Sequence, residues 1–253
     1  IEKQIATLNN KQMAIKILMN SLFGAMGNKW FRYFDLRVAE GITLTGQHVI
    51  KSCEKAVNDE MNKLLGTESD YVIAIDTDSL YVNFGPLVEK FNPANQISFL
   101  DKICKEHFEP AIKKDYDKFY ESLNSLENRM VMAREAIADV GIWTAKKRYI
   151  LNVYDNEGVR YNQPQLKIMG IEAIKSSTPE IVRNKFKEVF NIIINDTEKK
   201  TQDFIRDFKI QFKSLYPEDV SFPRRVSSIT DWHDKRKIFR KSCPIHVRGS
   251  LLY

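Results

Sequence analysis

Residues 71–84 read Tyr-Val-Ile-Ala-Ile-Asp-Thr-Asp-Ser-Leu-Tyr-Val-Asn-Phe. Two runs rich in β-branched and aromatic residues flank Asp76-Thr77-Asp78-Ser79, which predicts a tight hairpin with carboxylates at its tip. Backbone pairing fixes such a tip in space. Carboxylates held there can bind Mg²⁺ against phosphate oxygens. Asp, Thr and Ser are also ordinary turn residues, so by itself the segment reads more readily as a plain surface turn.

The segment upstream changes that balance. Between Leu8 and Gly27, Met13, Lys16 or Ile17, Asn20 and Gly24 recur at helical spacing. A helix over 9–27 is predicted, with Asn9 or Asn10 capping its start and Gly27-Asn28 ending it. Lys16, Asn20 and Phe23 or Gly24 fall along one stripe. A lysine there can meet a triphosphate as a point charge. Gly24 removes a side chain where a base pair could approach. The plainer alternative is an amphipathic helix with one solvated lysine.

Composition sets the bounds. The 253 residues are 43% hydrophobic and 28% charged, enough for one large domain or two modest ones. No apolar run approaches the roughly 18 residues of a membrane span. Cys53, Cys104 and Cys243 form no Cys-x-x-Cys pair, so neither a zinc site nor a disulfide framework is indicated. The formal net charge is +6, and residues 224–248 alone carry eight Lys or Arg against two Asp, the same excess. Arg224, Arg225, Lys235, Arg236 and Lys237 lie in that stretch, which suits a phosphate backbone as well as it suits a solvated basic face.

Periodicity predicts a second helix over 36–65, with Val49, Ile50, Cys53, Val57, Met61 and Leu64 on its buried side. Pro86 and Pro93 mark a loop, and 97–127 reads as helix. Strands are expected over 129–138 and 146–153, the second turning at 155–158 into a short third strand. Helices are expected from Thr178-Pro179 to about 195 and over 198–215. Strands in the middle and helices at both ends indicate an α+β fold with a mixed or antiparallel sheet.

Lys16-x-x-x-Asn20-Ser21-x-Phe23-Gly24, followed some fifty residues later by Asp76-Thr77-Asp78-Ser79, resembles the second and third motifs of family B DNA polymerases. The run Gly24–Arg37 is similar to the replicative enzymes of T-even-type bacteriophages. Arg134-Glu135-Ala136-Ile137 resembles a strand with a further acidic residue. Lys146-Lys147-Arg148-Tyr149 resembles a primer-template grip. Leu166–Glu172, including Lys167, and Lys175–Pro179 resemble a palm-to-thumb junction. Cys243–Gly249 resembles part of a thumb.

The resemblance implies an anatomy: 1–28 the end of the fingers, 29–168 an incomplete palm, 169–253 part of a thumb. It implies two-metal nucleotidyl transfer with Mg²⁺, Asp78 as direct ligand, Asp76 as companion and Glu135 beside the metals. It assigns Lys16, Asn20, Phe23 and Gly24 to the incoming nucleotide. Primer-template DNA, deoxynucleoside triphosphates and a sliding clamp are the implied partners, in the cytoplasm of an infected bacterium, with no membrane.

Three departures stand out. Phe23 replaces the usual Tyr, so a hydroxyl that checks base-pair geometry is absent. Ala133 stands where phage relatives tend to have Asp. The family's first motif, an Asp followed by x-x-Ser-Leu-Tyr-Pro, is not found ahead of Lys16. Ser214-Leu215-Tyr216-Pro217 mimics it, but Gln211 stands at the Asp position and the order is wrong. The expectation is a C-terminal polymerase part, inactive by itself, completed by an N-terminal chain that carries the first motif and an exonuclease. A trimmed piece of one longer chain fits equally. The rival classes are a non-catalytic DNA-binding subunit and an Asp-x-Asp glycosyltransferase, and the second explains neither Lys16–Gly24 nor Lys146–Tyr149.

Overall fold

The computed structural model describes residues 2–226, 229–232, 237 and 239–252. They form two compact units, 1–135 and 136–253. That boundary falls inside the stretch 29–168, which the resemblance had implied to be one palm. The α+β expectation holds: each unit combines helices with one small antiparallel sheet.

The first unit begins with α1 (Glu2–Met26), which starts earlier than predicted and leaves Asn9 and Asn10 in mid-helix. It ends where expected, with the Asn28 N–H donating to the Ala25 carbonyl at 2.9 Å. None of its residues is buried within this chain. α2 (Leu36–Leu65) starts at Asp35, whose carboxylate accepts from the Arg37 N–H, and stops at Gly66, whose φ of 74° allows the left-handed cap. Its predicted face faces the core: Ile50, Cys53, Val57 and Met61 are buried.

β1 (Val72–Asp76) and β2 (Ser79–Val82) pair as predicted, Asp76 opposite Ser79. Pro86 does not mark a loop. It sits in the first turn of α3 (Gly85–Phe91), where its missing N–H has no helical acceptor to lose. The helix predicted over 97–127 is α4 (Gln96–Ile103) and α5 (Glu109–Ser122), joined by a π-turn at Cys104–Phe108. Pro110 at the start of α5 has no N–H to donate, and the helix widens there rather than breaking.

Val72, Leu80 and Val82 of the hairpin pack on a core built from Cys53, Val57, Met61, Leu87, Ile103, Phe108, Ile112 and Tyr116. All three cysteines are free and buried. Burial pushes the Cys104 thiol up to about 12, so it is inert at neutral pH.

The second unit is a meander. β3 (Ala136–Ala145), β4 (Arg148–Asn156) and β5 (Val159–Met169) lie in that order, each antiparallel to the next. A short turn at Glu172–Ile174 leads to α6 (Glu180–Asn195), α7 (Glu198–Phe212), α8 (Pro217–Val220) and α9 (Ile245–Leu252). Ile150, Ile168, Ile171, Ala173 and Phe190 form its core.

The strand predicted over 129–138 is displaced to Ala136–Ala145. Asn128 and Arg134, near the two ends of residues 128–135, bond to α5 instead. Asn128 donates to Asp117 at 2.6 Å, and the Arg134 N–H donates to Glu109 at 3.2 Å. The segment before Glu135 is thereby diverted from a strand partner.

Candidate functional site

The acidic hairpin is set by α2. The Asn58 side chain accepts from the Tyr71 N–H and donates to Asp70, both at 2.8 Å. Asn62 accepts from the Ser69 N–H at 2.8 Å and donates to its carbonyl at 3.0 Å. Two side chains one turn apart therefore fix where β1 begins.

At the tip, Thr77 adopts φ 57°, a conformation that a β-branched residue rarely takes. Local bonds over-determine it. The Asp78 N–H donates to the Asp76 carbonyl at 2.6 Å, and the Ser79 hydroxyl donates to the same carbonyl at 3.1 Å. The Thr77 hydroxyl donates to the Asp76 carboxylate at 3.1 Å. Asp76 is half-buried and Asp78 is exposed. The donor set is two hard carboxylates, which suits Mg²⁺ or another oxygen-seeking cation shared with substrate phosphates. Among the described residues, no group of three or more His, Cys, Asp or Glu converges on one point.

Glu135 belongs to the same compact unit and is exposed, just before β3. Its neighbour Arg134 is anchored: the side chain is 9% exposed and meets Asp101 at 2.5 Å. Asp101 also meets Lys105 at 2.9 Å. The bonds from Lys105 and Arg134 hold the Asp101 carboxyl below its ordinary value.

On α1, Lys16, Asn20, Phe23 and Gly24 are exposed on one stripe. A Cβ at Gly24 would meet nothing within 4 Å, so the chain's own packing does not require glycine there. The loop after α1 was not assigned a role from sequence. In it Trp30 is 83% exposed, Lys29 lies 5.2 Å from the Trp30 ring centroid, and Arg32 lies 5.5 Å from that of Tyr33. The alternation of basic and aromatic residues was the signal available.

In the second unit, Lys146 and Lys147 form the exposed β3–β4 turn, and Arg148 and Tyr149 open the central strand. The run therefore lies at a turn and on the central strand, not at a sheet edge. Tyr149 is only 8% exposed and its ring centroid lies 6.2 Å from that of Trp143. Lys147 adopts φ 62°. Gly170, at φ 68°, passes beneath it so closely that a Cβ would lie 2.0 Å from the Lys147 carbonyl oxygen. Arg148 pairs with Glu172, which also meets Lys175 at 3.0 Å. Lys175 and then Arg148 hold the Glu172 carboxyl below its ordinary range. Lys167 is half-buried on β5, opposite Leu151.

Arg224 and Arg225 are exposed and Lys237 is half-buried, while Lys235 and Arg236 lie outside the described residues. No helix among the described residues is long and apolar enough to cross a membrane.

The family model for DNA polymerase family B matches residues 2–225. The chain is 39% identical over 96% of its length to a DNA-directed DNA polymerase of Escherichia phage RB69, of which it covers 28%. It is 38% identical over its whole length to that of Enterobacteria phage T4, of which it covers 30%. DNA polymerase 1 of Sulfolobus acidocaldarius is 24% identical over 99% of the chain. The chain thus spans under a third of each of the two phage relatives.

Proposed function

This chain belongs to DNA polymerase family B, and from that premise we propose that it supplies part of the nucleotidyl-transfer site of a viral DNA-directed DNA polymerase. The observation that carries the reading is the β1–β2 tip, a strained two-residue turn that offers Asp78 to solvent with Asp76 behind it. Residues 1–28 are the end of the fingers, 29–168 most of a palm and 169–253 part of a thumb.

The primer 3′-hydroxyl attacks the α-phosphorus of a deoxynucleoside triphosphate and pyrophosphate departs. Asp78 and Asp76 would hold Mg²⁺, which would supply positive charge to the attacking and leaving oxygens. Glu135 adds negative charge beside that site. Lys16 binds the triphosphate, Asn20 orients it, and the open space at Gly24 admits the nascent base pair while Phe23 packs against it. Lys146, Lys147 and Arg148 grip the duplex through phosphates, with Tyr149 shaping the strand beneath. Trp30 and Tyr33 offer stacking faces for bases. A polypeptide with the Asp-x-x-Ser-Leu-Tyr-Pro motif completes the site, and a sliding clamp is a further partner.

The test is primer extension with Mg²⁺ by this chain, alone and mixed with a polypeptide carrying that motif. Extension only in the mixture supports a composite site. Efficient extension by the chain alone would overturn this reading of it.

A further inference from the structure

Arg148 is one of three consecutive basic residues on the β3–β4 hairpin end, but its surroundings differ from those of the two lysines before it. Lys146 and Lys147 are exposed, whereas Arg148 is 41% exposed and its guanidinium is tied to Glu172, 44% exposed, from the turn that follows β5. Glu172 engages both oxygens, Oε2 with Arg148 Nη2 and Oε1 with Lys175 Nζ at 3.0 Å. The Arg148 Nε is buried and has no hydrogen-bond partner among the described residues. One end of the guanidinium is thus fixed and Nε is shielded from solvent, which leaves Nη1 of the rigid fork to meet a phosphate.

We propose that Glu172 is a positioning residue for DNA binding: it holds the Arg148 guanidinium, with Lys175 beside it, in the orientation that meets a backbone phosphate. This rests on the reading of the hairpin as a DNA grip. A free arginine must give up rotamer freedom to meet a phosphate, and one already fixed gives up less. Glu172 also carries negative charge toward a polyanion. Positioning and repulsion therefore predict opposite signs.

The test is fluorescence anisotropy of the 253-residue chain with a labelled primer-template duplex across a salt series. Arg148→Ala weakens binding and lowers the salt slope by about one phosphate contact. Glu172→Ala weakens binding about three- to tenfold, with little further effect in the Arg148→Ala background. Glu172→Gln retains an acceptor for Nη2 and keeps most of the affinity, a rescue that a merely misfolded variant would not show. Tighter binding by Glu172→Ala, or equal effects in both backgrounds, would overturn the proposal. No effect of Arg148→Ala would instead sink the hairpin's role as a DNA grip, and the proposal with it.

Discussion

The β1–β2 and β3–β4 tips are both two-residue turns with one non-glycine residue in the left-handed region, Thr77 at φ 57° and Lys147 at φ 62°. They are braced differently. Thr77 is braced from within, by hydroxyl and amide bonds that converge on Asp76. Lys147 is braced from outside, by the backbone at Gly170 and the ion pair to Glu172 next to it. In the function proposed, the acidic tip shares a cation and its surroundings are open, whereas the basic tip faces a long polyanion and is built into a three-stranded sheet. Charge at the first tip and packing at the second are therefore the sensitive variables.

The largest expected effect tests the charge side. Asp78→Asn lowers primer extension in the completed enzyme by at least about 10³-fold, since loss of a metal ligand removes several kcal/mol of transition-state stabilisation. Its unfolding free energy from urea denaturation stays within about 0.5 kcal/mol of the parent, because the side chain is exposed. Retained activity would favour a non-catalytic DNA-binding subunit.

Gly170→Ala tests the packing side. It costs about 3 kcal/mol or more of unfolding free energy, because the new Cβ meets a backbone oxygen and φ is positive. Duplex affinity falls with it. An unchanged melting curve would break the contrast.

Asp101→Asn probes the anchor behind Glu135 and costs about 2–3 kcal/mol, because it removes the negative charge opposite the largely buried Arg134. Folding holds the Asp101 carboxyl below its ordinary 3.8. Its stabilising contribution is therefore present above that pH and is lost as pH falls through the folded value. Acid titration of the parent should show this loss, and the variant should lack it.

The smallest effect sharpens the comparison. Thr77→Gly and Lys147→Gly each relieve a left-handed strain and stabilise by about 0.5 kcal/mol in urea unfolding. Only Lys147→Gly should weaken duplex binding.

Much of this was legible in the sequence because it is local. The 3.6-residue period from Val49 to Leu64 faces the core as read, and the β-rich runs around Asp76–Ser79 form the hairpin they predict. What escaped depends on partners distant in sequence. Residues 128–135 look extended, yet Glu109 and Asp117 on α5 accept hydrogen bonds from Arg134 and Asn128. Pro86 reads as a loop marker but occupies the one helical turn that tolerates it. The brace on Arg148 comes from Glu172, on the far side of two strands. Of the candidate site, the two hairpin carboxylates are brought to one tip, while no third acidic group joins them among the described residues.

The order β3-β4-β5 also has a kinetic consequence. Each strand pairs with the next across a two-residue turn, so chain closure costs little entropy at every step. The first unit must instead bring Cys53 on α2 against Tyr116 on α5, across some sixty residues. The basic meander should therefore gain amide protection before the helical core that seats the acidic hairpin, and pulse-labelled exchange during refolding would record that order.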